Sequence, residues 1–292
     1  MTIINEILTK IDKIPVLSRS ASLLLNVISK EDHTIAEVNN IVENDSVLST
    51  KVLTVINSAA YSLTTNTTSI ERAVSYLGDS VILNIALESC GASKLLDKPL
   101  EGYECEGDAF WSHNIKTAIA AKHIACFALK ETEASLAYTA GIIHDIGKSI
   151  ISTYLINQSA EIVKQLDCQS INDYVEAERT ILGTDHCEVG YNIGKHWNLP
   201  EVFLNVNRWH HNPVNCPEEY ISTCYIIHLA DIMAMLGGSG TGIDSLEHRL
   251  DSKYEKYIKL PGEEFDKLFF KIENEFEKIK SSFEEQQLEK VS

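Results

Sequence analysis

Little in this sequence points to a membrane, a nucleic acid or an oxidising compartment. No apolar run reaches the roughly 20 residues that cross a bilayer. The opening MTIINEILTKIDKIP has mixed charge and no apolar stretch before a small-residue cleavage site, so no secretory signal is expected. Basic residues are scarce: 25 Lys and Arg stand against 42 Asp and Glu, a net charge of −17 with histidine neutral. With no local basic patch against that trend, electrostatic capture of nucleic acid or of an anionic membrane is excluded. The seven cysteines (Cys90, Cys105, Cys126, Cys168, Cys187, Cys216 and Cys224) are scattered with no CxxC pair, which reads as reduced thiols and a cytoplasmic location. No stretch alternates apolar and polar residues long enough for a sheet, and there is no internal repeat or low-complexity segment.

What is present is helical periodicity. Leu23, Leu24, Val27 and Ile28 recur at helix spacing, as do Ile35, Val38, Ile41 and Val42, then Val47, Leu48, Val52, Val55 and Ile56. Asp32 or Thr34, Asp45 or Ser46, and Ser69 stand where N-caps belong. The expected class is all-α, with 44% hydrophobic residues available for a core. The Pro-, Gly- and acid-containing segment 95–110 reads as a connector, giving a first lobe over 1–105 and a second over 106–242. GGSGTG, 237–242, reads as a flexible break. An amphipathic extension, 243–292, follows, with Phe265, Leu268, Phe269, Ile272, Phe276 and Ile279 on one stripe.

The second lobe carries an unusual set of polar residues inside apolar helical text. His144 and Asp145 lie in AGIIHDIGKSI, His113 follows FWS, His186 follows Asp185 at a helix start, His210 and His211 are adjacent, and Asp231 interrupts YIIHLADIMAML. One such histidine is more often a satisfied core residue than a ligand. Five histidines and two aspartates on separate helices suit convergence on a metal, because imidazole nitrogens and carboxylate oxygens from different elements are what a divalent or transition metal takes. Asp145 is the candidate bridge between two ions, with His113, His144 and Asp231 on one side and His186, His210 and His211 on the other. Two ions ~3.5–4 Å apart would clamp a phosphoryl group and generate a hydroxide. Lys148, one turn past His144, could meet a phosphate oxygen, so Lys148 and Asp145 are the candidate catalytic residues. His33, His123, His196, His228 and His248 fall outside the set and read as surface or packing residues, with His228 near the site at most. Trp111, Trp197 and Trp209 read as packing around it.

At this point the chain resembles a known family. HDIGK with an upstream His and a downstream Asp is similar to the HD phosphohydrolase superfamily. IPVLSRSASLLLNVI, IVENDSVLSTKVLTVINSAAYS, SIERAVSYLGDSVILNIAL and LGTDHCEVGYNIGKHWNLPEVFLNVNRWHHNP resemble the HDOD family, the HD-related output domains of bacterial signalling proteins, from about Ile14 to beyond Asp231. The resemblance implies a two-lobe helical fold whose second lobe is an HD-type bundle, and a bacterial role in signal transduction through a protein partner. Many members have lost the metal ligands. Here His113, His144, Asp145, His186, His210, His211 and Asp231 match the ligand positions of the related HD-GYP phosphodiesterases, and Lys148 matches their HDxGK lysine. That implies a metal, with a di-iron or di-manganese pair as candidates. The Gly-Tyr-Pro loop is absent, since VNCPEEY follows HHNP, which removes the feature that accompanies cyclic di-GMP hydrolysis. No Arg-rich phosphate clamp stands out; Arg179 and Arg208 are the nearest basic residues, and surface salt bridges account for them. Two functions stay open: a regulatory module with a protein partner, and a metal-dependent phosphohydrolase or phosphodiesterase acting on a nucleotide or other phosphoester. A redox sensor using Cys187 beside the metal ranks third.

Overall fold

The computed structural model describes residues 3–30, 32–61, 63, 65–89, 95, 98–105, 108–168, 171, 173–242 and 250–289. Cys90 and His248 lie outside the described residues. The fold is all-α: the described residues contain no strand, only isolated bridges between Leu100 and Cys105 and between Ala128 and Ile258. The first helices are α1 (Ile3–Ile11), α2 (Arg19–Ile28), α3 (Ile35–Glu43), α4 (Ser46–Ile56) and α5 (Ile70–Ser89), the last kinked at Gly78. Then come α6 (Ala109–Ile124), α7 (Ala134–Ile143), α8 (Lys148–Leu155), α9 (Ser159–Asp167), α10 (Tyr174–Leu182), α11 (His186–His196), α12 (Glu201–Trp209), α13 (Ile221–Leu236) and α14 (Gly262–Glu289).

Side-chain caps decide several boundaries. Thr34, not Asp32, caps α3, in a reciprocal box with Glu37, and Asp45 caps α4 by accepting from Val47 N and Leu48 N. Ser69 accepts from Arg72 N at the head of α5. The buried stripes are narrower than the apolar runs. Leu24, Leu25 and Ile28 are buried while Leu23 faces solvent; Ile35 and Val47, in the first turns of α3 and α4, are also exposed. A helix opening beside its cap turns those first positions away from the core, so apolarity alone overcounts the face.

Helices α2 to α5 pack together as a first unit, and α6, α7, α12 and α13 form the centre of a second. Helix α1 lies against α8 and α11 of the second unit, and the segment leaving it is held by His196 Nε2 to Ile14 O (2.9 Å) and Trp197 Nε1 to Pro15 O (3.0 Å). Helix α14 lies along α6 and also touches α4 and the turn Ala59–Tyr61, so it spans both units. Its buried side chains are Leu268, Ile272, Phe276 and Ile279, the middle and end of the expected stripe. Lys116 to Glu273 and Lys122 and His123 to Glu275 fix its register on α6.

Candidate metal centre

The site residues come from helix ends and helix middles that point at one spot. His113 is in α6, His144 ends α7 with Asp145 beside it, and Lys148 opens α8. His186 opens α11, His210 ends α12 with His211 next, and Asp231 is within α13. The tight path from α7 to α8 needs Gly147: a Cβ there would stand 1.9 Å from His186 O, so only glycine lets the HDIGK turn meet the first turn of α11. His113, His144 and His186 with His210 are fully buried, Asp145, Lys148 and Asp231 nearly so; His211 alone of the set is partly exposed.

Asp145 divides the cluster. Its Oδ2 stands 3.7 Å from His113 Nε2 and 3.6 Å from His144 Nε2, whereas Oδ1 stands 3.4 Å from both His186 Nε2 and His210 Nε2. Asp231 Oδ1 is 3.1 Å from His113 Nε2 and 3.7 Å from His144 Nε2, and its Oδ2 is 4.0 Å from His211 Nδ1. Nitrogen and oxygen ligands lie about 2.0–2.2 Å from a metal such as zinc, so two on one ion are separated by roughly 3–3.5 Å. Three of the seven separations, 3.1–3.4 Å, lie inside that range and the other four, 3.6–4.0 Å, lie just beyond it. Two groups emerge, His113, His144 and Asp145, and His186, His210 and His211 with Cys187, each with its ligand atoms within 4.8 Å of one another.

The outer nitrogens explain which atoms face inward. His113 Nδ1 donates to Ser239 O (2.7 Å), His144 Nδ1 to Gly141 O (2.8 Å), and His210 Nδ1 to the carbonyls of Val206 and Asn207 (3.1 Å each). His186 Nδ1 bonds Glu178 Oε2 at 2.8 Å. With Nδ1 protonated, each Nε2 of a neutral ring presents a lone pair. His113, His144 and His210 Nε2 and Asp145 Oδ1 accept or donate no hydrogen bond. Lone pairs facing lone pairs in a dry core are costly unless a proton or a cation lies between them. The donor set, mixed imidazole and carboxylate with outer-shell anchors, fits a divalent or transition metal.

The electrostatics carry the same mark. Burial works against the charged form of Asp145, yet Lys148, at 2.7 Å, and His144 hold its carboxyl well below the usual range. Asp231, also opposed by burial, is held low by His113 and His144. Burial pushes His210 down to about 4, a neutral ring suited to ligation. Burial also opposes the charge on His113 and His186, but Asp231 raises the first and Glu178 the second, so that without a cation a proton takes the place between ring and carboxylate. Burial drives Cys187 up to about 11, leaving a thiol whose Sγ is 3.5 Å from His186 Nε2.

All seven residues expected as ligands therefore meet at one place. Lys148 is inside it, bonded to Asp145 and donating to Thr241 Oγ1 at 3.0 Å. Of the five histidines set aside, His33 pairs with Asp79, His123 with Glu275, and His196 with Ile14 O. His228 supports the site from behind: its Nδ1 donates to His210 O at 2.8 Å, and its Nε2 accepts from Asp251 N. The sequence reading missed Glu178, which takes His186 Nδ1 and N and receives Tyr103 OH at 2.5 Å. A signal existed: Tyr174, Glu178 and Leu182 share one buried face of α10, an acid in an apolar row. The expected flexible break is corrected. Ser239 O and Thr241 close on His113 and Lys148, Thr241 is fully buried, and a Cβ at Gly242 (φ 110°) would strike Tyr103 O at 1.9 Å. Gly242 serves this close approach, and Gly238, at φ 81° with nothing within 4 Å of its Cβ position, serves the turn. The connector likewise contributes Tyr103 to the site's surroundings.

Comparison with known proteins fits this geometry. Residues 14–213 match the model of the HDOD domain. An uncharacterized protein of Treponema pallidum is 25% identical over 215 residues, 74% of this chain and 41% of that protein, so the chain spans about two fifths of the length of the curated relative it matches. A proposed signal transduction protein of Marinobacter aquaeolei superposes with a TM-score of 0.72 at 19% identity, over 92% of this chain and 59% of the other. A proposed metal-dependent phosphohydrolase of Shewanella amazonensis superposes with a TM-score of 0.55 at 19% identity, over 96% and 97% of the two chains. At these identities the solved structures share the fold.

Proposed function

The chain belongs to the HDOD family, and on that premise we propose that it is a metal-dependent phosphohydrolase acting on a phosphoester. The observation that carries this reading is the inward set of lone pairs around Asp145, with the outer nitrogens of His113, His144, His186 and His210 anchored. His113, His144, Asp145 and Asp231 would hold one ion, and His186, His210, His211 and Asp145 a second. Such ions supply Lewis acidity toward a phosphoryl oxygen and toward water. The protein's own residues do the rest. Glu178 fixes the tautomer and direction of His186. Lys148 neutralises Asp145 and would swing between that carboxylate and a phosphate oxygen. The aliphatic walls of α6, α7 and α13 exclude bulk water, which strengthens every charge interaction inside.

A second reading has its own support. The centre is closed on most sides, and Lys148 is spent on Asp145 and Thr241. That suits a regulatory module in which the metal is structural and the output is contact with a signalling protein. The likeness in fold to a proposed signal transduction protein favours it too. Elemental analysis of protein purified without chelator, beside the His144→Ala/Asp145→Ala variant, is the first test. Iron, manganese or zinc near or above one equivalent in wild type and lost in the variant is expected; metal-free protein after reconstitution would sink both readings. Hydrolysis of a phosphoester panel by the loaded protein then separates them, since the module reading expects none.

A further inference from the structure

We infer that a pocket back to back with the metal centre, walled by Arg179 and Arg208, binds a second phosphate group of the substrate. As a substrate subsite it rests on the phosphohydrolase reading; as an anion site it does not. Its volume is about 270 Å³. That is below the ~300–1,000 Å³ of pockets that engulf a whole small molecule, so it suits a head group.

Three elements present one residue to the metal centre and its neighbour to this pocket. On α10, Glu178 bonds His186 while Arg179 lines the pocket. At the start of α11, His186 faces Asp145 while Asp185 lines the pocket. At the end of α12, His210 faces Asp145 while Trp209 and Arg208 line the pocket. A ligand seated there has Asp185 and Trp209, the chain neighbours of His186 and His210, in its wall.

The arginines are the second observation. The chain has five in 292 residues, and two of them, 29 positions apart, meet here in a protein of net charge −17. Both are held in place before any ligand arrives. Arg179 gives Nε to Asp185, and Arg208 gives Nη2 to Glu188. Arg208 also lies over the rings of Tyr191 and Trp209, 4.6 and 5.3 Å from their centroids. A guanidinium has five donors, so each retains a fork for an anion after its ion pair is made. Asp185 takes Glu188 N with Oδ1 and Arg179 with Oδ2, and Glu188 takes Arg208, so the pocket is formally neutral and an anion would be held by the free guanidinium donors rather than by net charge. Prior ordering of both side chains removes an entropic cost that free surface arginines carry on binding. The substrate class is thus a phosphoester bearing a second phosphate at a distance from the reacting one.

The test uses the full chain stripped with chelator, with pyrophosphate as the probe and isothermal titration as the readout. Wild type binds, and Arg179→Gln/Arg208→Gln weakens binding about tenfold or more, while Arg208→Lys, which keeps charge but loses the fork, falls between. His144→Ala/Asp145→Ala, which removes the metal centre, binds pyrophosphate as wild type does. If stripped wild type shows no binding, or the arginine double variant with an unchanged circular dichroism spectrum binds equally well, the inference is overturned. If pyrophosphate binding is Arg-dependent but elemental analysis finds no metal, the pocket stands and the phosphohydrolase reading falls.

Discussion

The two halves of the molecule treat buried polarity in opposite ways. In the first, polar side chains are spent on each other or on backbone. Ser20 donates to Asp45, Asn57 accepts from Thr67 N and donates to Thr67 O, His33 meets Asp79, and Asn84 donates to Tyr138 OH at 2.6 Å. Among the described residues there, only Asn39 Oδ1 is buried without a hydrogen bond. In the second half, buried nitrogens and oxygens face one another without bonding, and they concentrate around Asp145. Satisfied pairs hold a fold; an unsatisfied convergent set reserves space for a cation. The same residue types thus carry structure in one half and a site in the other.

The sharpest way to break this contrast is Asp145→Asn. Metal content is expected to fall below about a tenth of wild type, and stripped protein to lose about 3–5 kcal/mol in urea unfolding, because Lys148 is left buried without its carboxylate. Equal metal content in the variant would end the comparison. Glu178→Gln should weaken metal affinity about 10–100-fold by chelator competition with little change in stability, the signature of an anchor behind a ligand. In the first half, Asn57→Ala should cost about 1–3 kcal/mol for two bonds to Thr67, with metal content unchanged. Any metal loss there would mean that the halves are not separable in this way. The smallest effect concerns Glu275. Burial opposes its charge, but His123 and Lys122 bring it down to about 2. A depressed carboxylate stabilises the fold above its ordinary pKa near 4.5, and that share is lost as pH falls toward 2. Glu275→Gln should therefore flatten the acid limb of the melting temperature between pH 4.5 and 2, read by scanning calorimetry.

His144, Asp145 and Asp231 were legible because each interrupts an apolar helix: a His or Asp in AGIIHDIGK or YIIHLADIMAML has no solvent to justify it, whereas His186, His210 and His211 stand in mixed text and joined the candidate set as part of the constellation and through the family resemblance. The caps were legible at Thr34 and Asp45 for the same local reason. Glu178 was harder, since EAERTIL reads as an ordinary charged surface until its face on α10 is known. Ser239 and Thr241 were illegible: glycine-rich text signals freedom, and only the tertiary contacts, Gly242 against Tyr103, Ser239 O on His113 and Thr241 on Lys148, show the segment closing on the site. Pocket walls Arg179 and Arg208 also follow local rules as ion pairs, and their convergence is a tertiary fact.

The span between His113 and Ser239, 126 positions, has a consequence for synthesis. At roughly 5–20 residues per second, a ribosome needs on the order of 6–25 s to extend the chain from the first ligand to the carbonyl that orients it. During that interval His113, then His144 and Asp145, then His186 emerge as partial ligand sets with no Asp231 and no closing Thr241. A nascent chain can hold an ion only loosely in such a set. On the metal reading, the full set first exists when the glycine-rich segment has left the exit tunnel, so an ion would be chosen at release or afterwards, under the metal supply the finished protein meets.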